Sequence, residues 1–294
     1  MRVFVTGATG FVGSAIVQEL MGAGHQVLGL ARSDKSAAAL IAAGADVHRG
    51  SLDDLDSLER GAAAVDGVIH TAYNHDFSQY IAAGQTDKEA IDALGRALLG
   101  SDRPLIVTGG LAGLATPGGL GTEEDKPAPS PRQSEDAAIA LAAQGIRASV
   151  VRLAPSVHDD GDYGFVPFLI SLARQKGVSA YIGEGQNRWP AVHRLDAARL
   201  FRLALEKGAS GAMYHGVGDE GVSFRDIAGV IGRQLTIPVV SKSPEEAAAH
   251  FDWMARFAGL DMAASNALTQ QWLGWKPTHK GLLADLEEGA YFRD

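Results

Sequence analysis

The sequence predicts an α/β fold: a doubly wound parallel sheet with helices on both faces, followed by a smaller, mostly helical C-terminal unit. Three observations carry that prediction. Short runs of β-branched and aliphatic residues recur through the first half of the chain. Segments with helical periodicity or helix-forming composition separate them,. A glycine-rich turn joins the first run to the first helical segment. Regular alternation of strand and helix needs crossover connections, and those build parallel sheets.

In chain order, the first strand is read at Val3-Phe4-Val5 and the second at 27–30. Further strands are read at 46–48, 67–71, 104–108 and 148–153. Val12, Ile16 and Leu20 recur every four residues, which marks one face of a helix,. Residues 35–43, 54–63, 86–99 and 134–144 are rich in Ala, Leu, Glu and Lys and are read as helices,. The Pro-, Gly- and acid-rich stretch from Thr116 to Gln133 reads as a long loop, and such loops are often functional,. After Pro155 the alternation breaks down. Helices are expected at 165–176 and 196–207, and another begins near Ser223. Ser243-Pro244-Glu245-Glu246 carries a capping Ser, Pro in the first turn and Glu at the third position, so a helix should start there,. The division that follows is a nucleotide-binding unit over 1–155 and a substrate unit over 156–294, with a segment at about 191–215 returning to the first sheet.

The bulk composition narrows the function. A chain of 294 residues suits one large domain or two closely integrated ones,. With 46% hydrophobic and 21% charged residues it has a real core,. The absence of Cys excludes disulfides, cysteine metal sites and thiol nucleophiles,. A net charge of −9 without a basic tract argues against nucleic acid as a partner,. No apolar run approaches the roughly 20 residues of a membrane span. The N-terminal residues lead straight into glycine-rich sequence and do not read as a signal peptide, so a cytoplasmic location is expected,. The expected partner is a small-molecule substrate, with a homodimer left open.

The turn reads Thr6-Gly7-Ala8-Thr9-Gly10-Phe11-Val12-Gly13, with glycines spaced G-x-x-G-x-x-G. Gly7 permits a sharp turn, Gly10 lets backbone approach a pyrophosphate, and Gly13 lets the helix pack on the strand. The helix N-terminus adds free N–H groups and a positive dipole end. Strand, turn and amphipathic helix together indicate a Rossmann-type dinucleotide site, with Thr9, Phe11 and Val12 completing the cradle. The second strand ends in Ala31-Arg32-Ser33. An NAD site would place an acid there for the ribose 2′-hydroxyl. Arg32 instead suits the 2′-phosphate of NADP, with Ser33 either adding a hydroxyl or capping the next helix. NADP is therefore the expected cofactor, ahead of NAD.

The turn and the segments after it resemble the extended and atypical short-chain dehydrogenase/reductases, the NAD-dependent epimerase/dehydratase-like proteins. The resemblance covers most of the chain. It implies that Gly50-Ser51-Leu52 stands for the family's Gly-Asp-Leu facing the adenine, so that Ser51 and Leu52 line that end; Ser51 also reads as a helix cap. It implies that Thr71, Ala72 and Tyr73 line the cofactor ribose and that Pro155 lies beside the nicotinamide. Val192-His193-Arg194-Leu195-Asp196 resembles the family's Val-His-x-x-Asp, usually a structural element. The catalytic set departs from the pattern. Gly110 falls where the family has Ser or Thr, Pro131 where it has Tyr, and Glu135 where it has Lys. Pro131 has no proton to give, and an acid at 135 would oppose ionisation of a neighbouring acid.

Substitute groups are sought at the strand ends. Tyr73 and His75, in Tyr73-Asn74-His75-Asp76-Phe77, are candidate proton donors, with Asp76 able to orient His75; a loop packed over the cofactor is the favoured reading of the segment. Thr108 is the hydroxyl left at the tip of the fifth strand, for substrate or for backbone. His158, Asp159, Asp160, Asp162 and Tyr163 lie close together, but without metal-ligand spacing, so no metal is expected,. Residues 183–193 read as a polar loop lining a substrate cleft, with Trp189 there or in the core. Trp253, Trp272 and Trp275 read as packing residues. The function expected is an NADP-dependent oxidoreductase acting on a small organic substrate with a non-standard proton donor. The alternative is a non-catalytic NADP(H) sensor or scaffold.

Overall fold

The structure, a computed structural model, describes residues 1–76, 79–114 and 118–293. Phe77 and Thr116, each part of an expectation above, lie outside them. The first part of the chain runs β1 (Arg2–Thr6), α1 (Phe11–Gly22), β2 (Gln26–Ala31), α2 (Asp34–Ala42), β3 (Asp46–Arg49), α3 (Leu55–Ala63) and β4 (Gly67–His70). It continues through α4 (Tyr80–Arg96), β5 (Leu105–Gly110), α5 (Ser134–Ala143) and β6 (Ala148–Leu153). Every strand read from the sequence is present, as is every helix. Helix α4 starts six residues before its predicted first residue, taking in Tyr80-Ile81-Ala82-Ala83-Gly84-Gln85. Gly84 explains how the helix holds there: a Cβ on it would lie 2.1 Å from the Pro131 carbonyl oxygen, so α4 packs directly on backbone.

These strands form a seven-stranded sheet in the order β10-β6-β5-β4-β1-β2-β3, every neighbour parallel, where β10 (Met213–Gly216) joins from the second half of the chain. The chain builds outward from β1 to β2 and β3, then returns and builds the other way from β4. The gap between β1 and β4 is thus the switch point, where α/β sheets open a crevice at the strands' carboxyl ends. One face of the sheet is covered by α1, α2 and α7 (Arg194–Lys207), through Ile16, Leu20, Leu40, Leu200 and Phe201. The other is covered by α3, α4 and α5, through Leu58, Ile91, Leu94 and Leu141. These near-continuous apolar strands are what a sheet buried on both faces requires.

The second half also contains β7 (Ser156–His158), α6 (Phe165–Lys176), β8 (Ser179–Ile182), β9 (Arg188–His193), β11 (Asp219–Ser223), α8 (Phe224–Leu235) and β12 (Val239–Lys242). It ends with α9 (Pro244–Phe251), a 3₁₀ turn at Asp252–Met254, α10 (Ala255–Ala258), α11 (Ala267–Leu273) and α12 (Leu282–Glu288). Helices α6, α8 and α9 start where their sequence signals fall. Ser223 caps α8, and Ser243 caps α9 in a reciprocal box with Glu246. The loop expected at 183–193 is in part a strand. β9 is the middle of a three-stranded sheet, β11-β9-β7, and Trp189, Ala191 and Val192 are fully buried. Pro190, which has no N–H for a ladder, hid this strand from the sequence reading. A parallel pair, β12-β8, completes the sheets. No helix among the described residues is long and apolar enough to cross a membrane.

Candidate active site

The glycine turn sits at the switch point. Gly7 has φ +69°, and a Cβ there would lie 2.7 Å from the Ala72 nitrogen, so the turn packs against the chain leaving β4. A Cβ on Gly13 would come within 2.0 Å of the Gly7 carbonyl oxygen, which fixes α1 against the end of β1. Gly10 is the N-cap of α1 and brings no side chain to satisfy the N–H groups of Val12 and Gly13,. The Phe11 N–H donates to the Tyr163 hydroxyl at 3.2 Å, and the two rings meet edge to face. The Arg194 guanidinium lies 4.7 Å from the centre of the Phe11 ring. Thr9 is exposed, and Val12 packs partly buried against the core.

Arg32 projects from the end of β2, exposed, with no hydrogen bond or ion pair among the described residues. Ser33 caps α2: its hydroxyl accepts the Ser36 N–H at 3.2 Å, and Ser36 returns the bond. Ser51 is not the cap of α3. Asp54 is, accepting the Ser57 N–H at 2.9 Å, while the Ser51 carbonyl accepts the Asp54 N–H. The helix begins at Leu55, so Asp54, the residue before it and itself a good N-cap, takes the position and Ser51 lies a turn upstream,. Leu52 packs on the core edge, and Pro155 is partly exposed between β6 and β7.

At the carboxyl ends of β1, β4 and β5 a chain of hydrogen bonds runs inward. The Thr71 hydroxyl donates to the Thr6 carbonyl, and the Ala72 N–H to the Thr6 hydroxyl. Thr6 Oγ1 meets His70 Nδ1 at 2.8 Å, and His70 Nε2 donates to Asp87 Oδ1 at 3.0 Å. Ser134 donates to the other Asp87 oxygen, and Arg132 Nε donates to Ser134 Oγ at 3.0 Å. Burial pushes the Asp87 carboxyl up, but the His70 and Ser134 bonds and the Arg132 charge outweigh it and hold it below the usual range,. Arg132 Nη2 donates to the Thr108 carbonyl at 2.9 Å, and its guanidinium lies 4.5 Å from the centre of the Tyr73 ring. The Thr108 hydroxyl donates to the His70 carbonyl at 2.8 Å, so of its two expected uses the backbone one is the one formed. Tyr73 contacts the His75 ring at 5.3 Å. Its buried hydroxyl has no hydrogen-bond partner among the described residues, and burial pushes it up to about 12, so the phenol keeps its proton. Burial and the Arg132 charge push His75 down, which favours a neutral imidazole. Asp76 accepts from Gln79 Nε2 at 2.9 Å.

The positions that depart from the family pattern have structural occupations. Gly110 ends β5 with open space where a side chain would be. Pro131 precedes α5 with its carbonyl against Gly84. Glu135 does not act as a free negative charge: Arg152, the penultimate residue of β6 and 1% exposed, holds it through two bonds of 2.6 and 2.8 Å. The sequence signal for this pair was present but unused. An Arg inside an otherwise apolar strand must find an acid, and α5 is the neighbouring helix. Arg132 carried no comparable signal, because its role depends on where the loop before α5 lands.

Across the cleft, His158 Nδ1 bonds Asp285 at 2.8 Å, Asp159 pairs with Arg194, and Asp162 accepts from the Gly164 N–H and the Tyr291 hydroxyl. Among the described residues no three His, Cys, Asp or Glu side chains converge as a metal site. Arg188 is held by Asp261 and the Gly119 carbonyl, which fastens the long loop after β5 to the second half. Phe165, Trp253 and Phe257, all partly exposed, form an aromatic group with ring centres 5.2 to 6.3 Å apart. Arg256 of α10 lies 6.0 Å from the centre of the Tyr80 ring, at the start of α4, and 5.7 Å from that of Phe257. Trp189 and Trp275 are buried core residues, and Asp196 is bound by the Thr278 and His279 N–H groups, a structural role.

Comparison with known proteins agrees with this geometry. Residues 3–90 match the family model described as NAD dependent epimerase/dehydratase family. An uncharacterized protein of Schizosaccharomyces pombe is 54% identical over 295 residues, covering 99% of this chain and 100% of that one. The 2-alkyl-3-oxoalkanoate reductase of Stenotrophomonas maltophilia is 30% identical over 231 residues, covering 72% of this chain and 67% of its own. A solved dTDP-glucose 4,6-dehydratase double mutant from Streptomyces venezuelae, with NAD and DAU bound, superimposes with a TM-score of 0.80 at 20% identity. It covers 100% of this chain and 97% of the other, a likeness of fold. With the glycine turn at a switch point, a seven-stranded parallel sheet and these relatives, the chain belongs to the NAD dependent epimerase/dehydratase family.

Proposed function

We propose that the chain is an NADP-dependent oxidoreductase that acts on a small organic substrate and draws its proton from a group other than a Tyr-Lys pair. The observation that carries the reading is the turn at the switch point, where Gly7 and Gly13 have no room for a side chain and the N-cap residue of α1, Gly10, has none to offer the helix N–H groups. These residues fit a dinucleotide. Gly7, Thr9, Gly10, Phe11, Val12 and Gly13 would hold its pyrophosphate by backbone N–H groups. Arg32, with Ser33 beside it, would hold the 2′-phosphate, Ser51 and Leu52 the adenine, Thr71, Ala72 and Tyr73 the ribose, and Pro155 the nicotinamide. When bound, the dinucleotide supplies or accepts a hydride. The chain's own part is to place a substrate over the carboxyl ends of β4 and β5, among Tyr73, His75, Thr108 and Arg132. The aromatic group across the cleft suits an apolar substrate,. The relative named a 2-alkyl-3-oxoalkanoate reductase supports a reduction.

The cofactor test is calorimetric. Arg32→Asp is expected to cost NADPH about 1–3 kcal/mol of binding, the worth of a charged hydrogen bond to phosphate, and to leave NADH nearly unchanged. Equal losses for the two cofactors would refute the role of Arg32. A second reading, a non-catalytic NADP(H) sensor, is favoured by the lock of Glu135 onto Arg152 at the position where the family carries Lys. Sustained NADPH consumption on any carbonyl, enone or imine separates the two readings.

A further inference from the structure

Arg132 is the cation nearest the substitute site, and it is held rigidly. Its Nε and Nη2 are tied to Ser134 and Thr108, and its face lies on Tyr73. Those bonds use two of the five guanidinium N–H donors. The rest have no partner among the described residues, and no carboxylate pairs with Arg132 there, since the nearby Asp87 is taken up by His70 and Ser134. Donors fixed in this way, beside low-dielectric aromatic surface, are what an oxyanion requires.

We propose that Arg132 is a catalytic residue that binds a developing oxyanion, and that the substrate is an α,β-unsaturated carbonyl compound. The proposal rests on the oxidoreductase reading above. The chemistry follows from what guanidinium can and cannot do. It stabilises a negative oxygen but gives up no proton at working pH. An alkoxide, the product of direct ketone reduction, needs a proton on that oxygen, and the family's Tyr position is Pro131. An enolate does not. Hydride arriving at the β-carbon breaks the carbon–carbon π bond, and the electron pair moves through the α-carbon to the carbonyl oxygen, which the Arg132 N–H groups hold. Water then protonates the α-carbon, the carbonyl re-forms, and the hydroxide left takes up a solvent proton. The substrate gains two electrons and two hydrogens, and the dinucleotide loses a hydride.

A phenolate mimics an enolate oxygen and can be read without turnover. The whole chain, with and without NADP+, is mixed with 4-nitrophenol and the phenolate absorbance is followed against pH. The charged and titratable groups around the site besides Arg132 are Tyr73, His75, Tyr80, Arg256 over the Tyr80 ring and, buried behind His70 and Ser134, Asp87, and none of them changes in the Arg132 variants. The apparent pKa of the bound probe is expected to fall by about 1–3 units. Arg132→Gln should return it to the value of the free probe, and Arg132→Lys should keep part of the fall. A probe that does not bind, a bound probe with an unshifted pKa, or a shift that survives in the Gln variant overturns the proposal. The first two outcomes need wild-type protein only, so the test does not depend on the variant folding. NADPH affinity is measured alongside. An Arg132-dependent shift without NADPH binding would sink the oxidoreductase reading and leave the oxyanion site standing, and the converse would sink the oxyanion site alone.

Discussion

Arg152 spends all five of its N–H donors inside the protein. They go to both oxygens of Glu135, the carbonyls of Glu123 and Asp125, and His215 Nε2. His215 can accept because burial pushes it down to about 4, leaving it neutral, and its Nδ1–H goes to the Ser265 carbonyl. Glu135 is thus the counter-ion of a buried cation that ties β6 to α5, to the loop before it and to the segment leading into α11. Placing a Lys at 135, as the family pattern has it, would set a second cation against Arg152 and remove the carboxylate that binds it directly. Glu135→Lys and Glu135→Gln are expected to cost stability by roughly 3–5 kcal/mol, as a partner removed from a buried ion pair does. Chemical denaturation measures this, and a Glu135→Lys protein as stable as wild type would show that Arg152 has another counter-charge. At this scale the sequence was half legible. The loss of the Tyr and Lys could be seen at Pro131 and Glu135. What replaced them could not, because Arg132 and Arg152 acquire their meaning from contacts 17 to 63 residues away.

Elements were more legible than residues where local chemistry decides them, and less where packing does. Helix α6 occupies the predicted 165–176, and Ser223 and Ser243 cap where their side chains say they should. Strand β9, with Pro190 inside it, exists because neighbours on both sides bury it, which no local rule contains. The turn between β1 and α1 lies at the legible end, since its glycines are demanded by contact and not by flexibility alone. Gly13→Ala would put a methyl 2.0 Å from the Gly7 carbonyl, a backbone atom that cannot turn aside. It should lower stability by about 1–3 kcal/mol and weaken NADPH together with it. Gly22→Ala, at the other end of the same helix with nothing within 4 Å, should be neutral or gain up to about 1 kcal/mol,. Thermal melts of the pair decide the point: equal stability would mean that α1 shifts freely on β1 and that the glycine spacing has no packing role.

On the scale of the whole molecule, the segment from β7 to α6 connects the glycine turn to the C-terminal end. His158 bonds Asp285 of α12, Asp162 accepts from Tyr291, and Tyr163 meets Phe11 at the start of α1. Two carboxylates at this junction, Asp285 of α12 and Asp162 of the segment, respond to pH in opposite senses. For Asp285, burial raises the carboxyl but the His158 and Lys280 bonds overcome it, and the net value is lowered. Such a group stabilises the fold above its unfolded value of 3.8, and that contribution is lost as pH falls through the folded value,. Asp162 is pushed by burial from 3.8 up to about 6, against the bonds from Gly164 and Tyr291. Its folded form binds a proton that the unfolded form releases. Its contribution is therefore fully present below 3.8 and is lost as pH rises through about 6,. At neutral pH the segment carries a poorly solvated charge worth up to roughly 3 kcal/mol, less whatever solvent screens. Asp162→Asn keeps an oxygen for the Gly164 N–H, turns an amide N–H toward the Tyr291 hydroxyl, which can accept it, and removes that charge,. It should raise the melting temperature at pH 8 and leave it nearly unchanged at pH 4. The same gain at both pH values would mean that the carboxylate is no burden to the segment, and that the tie between the glycine turn and the C-terminal end is insensitive to pH.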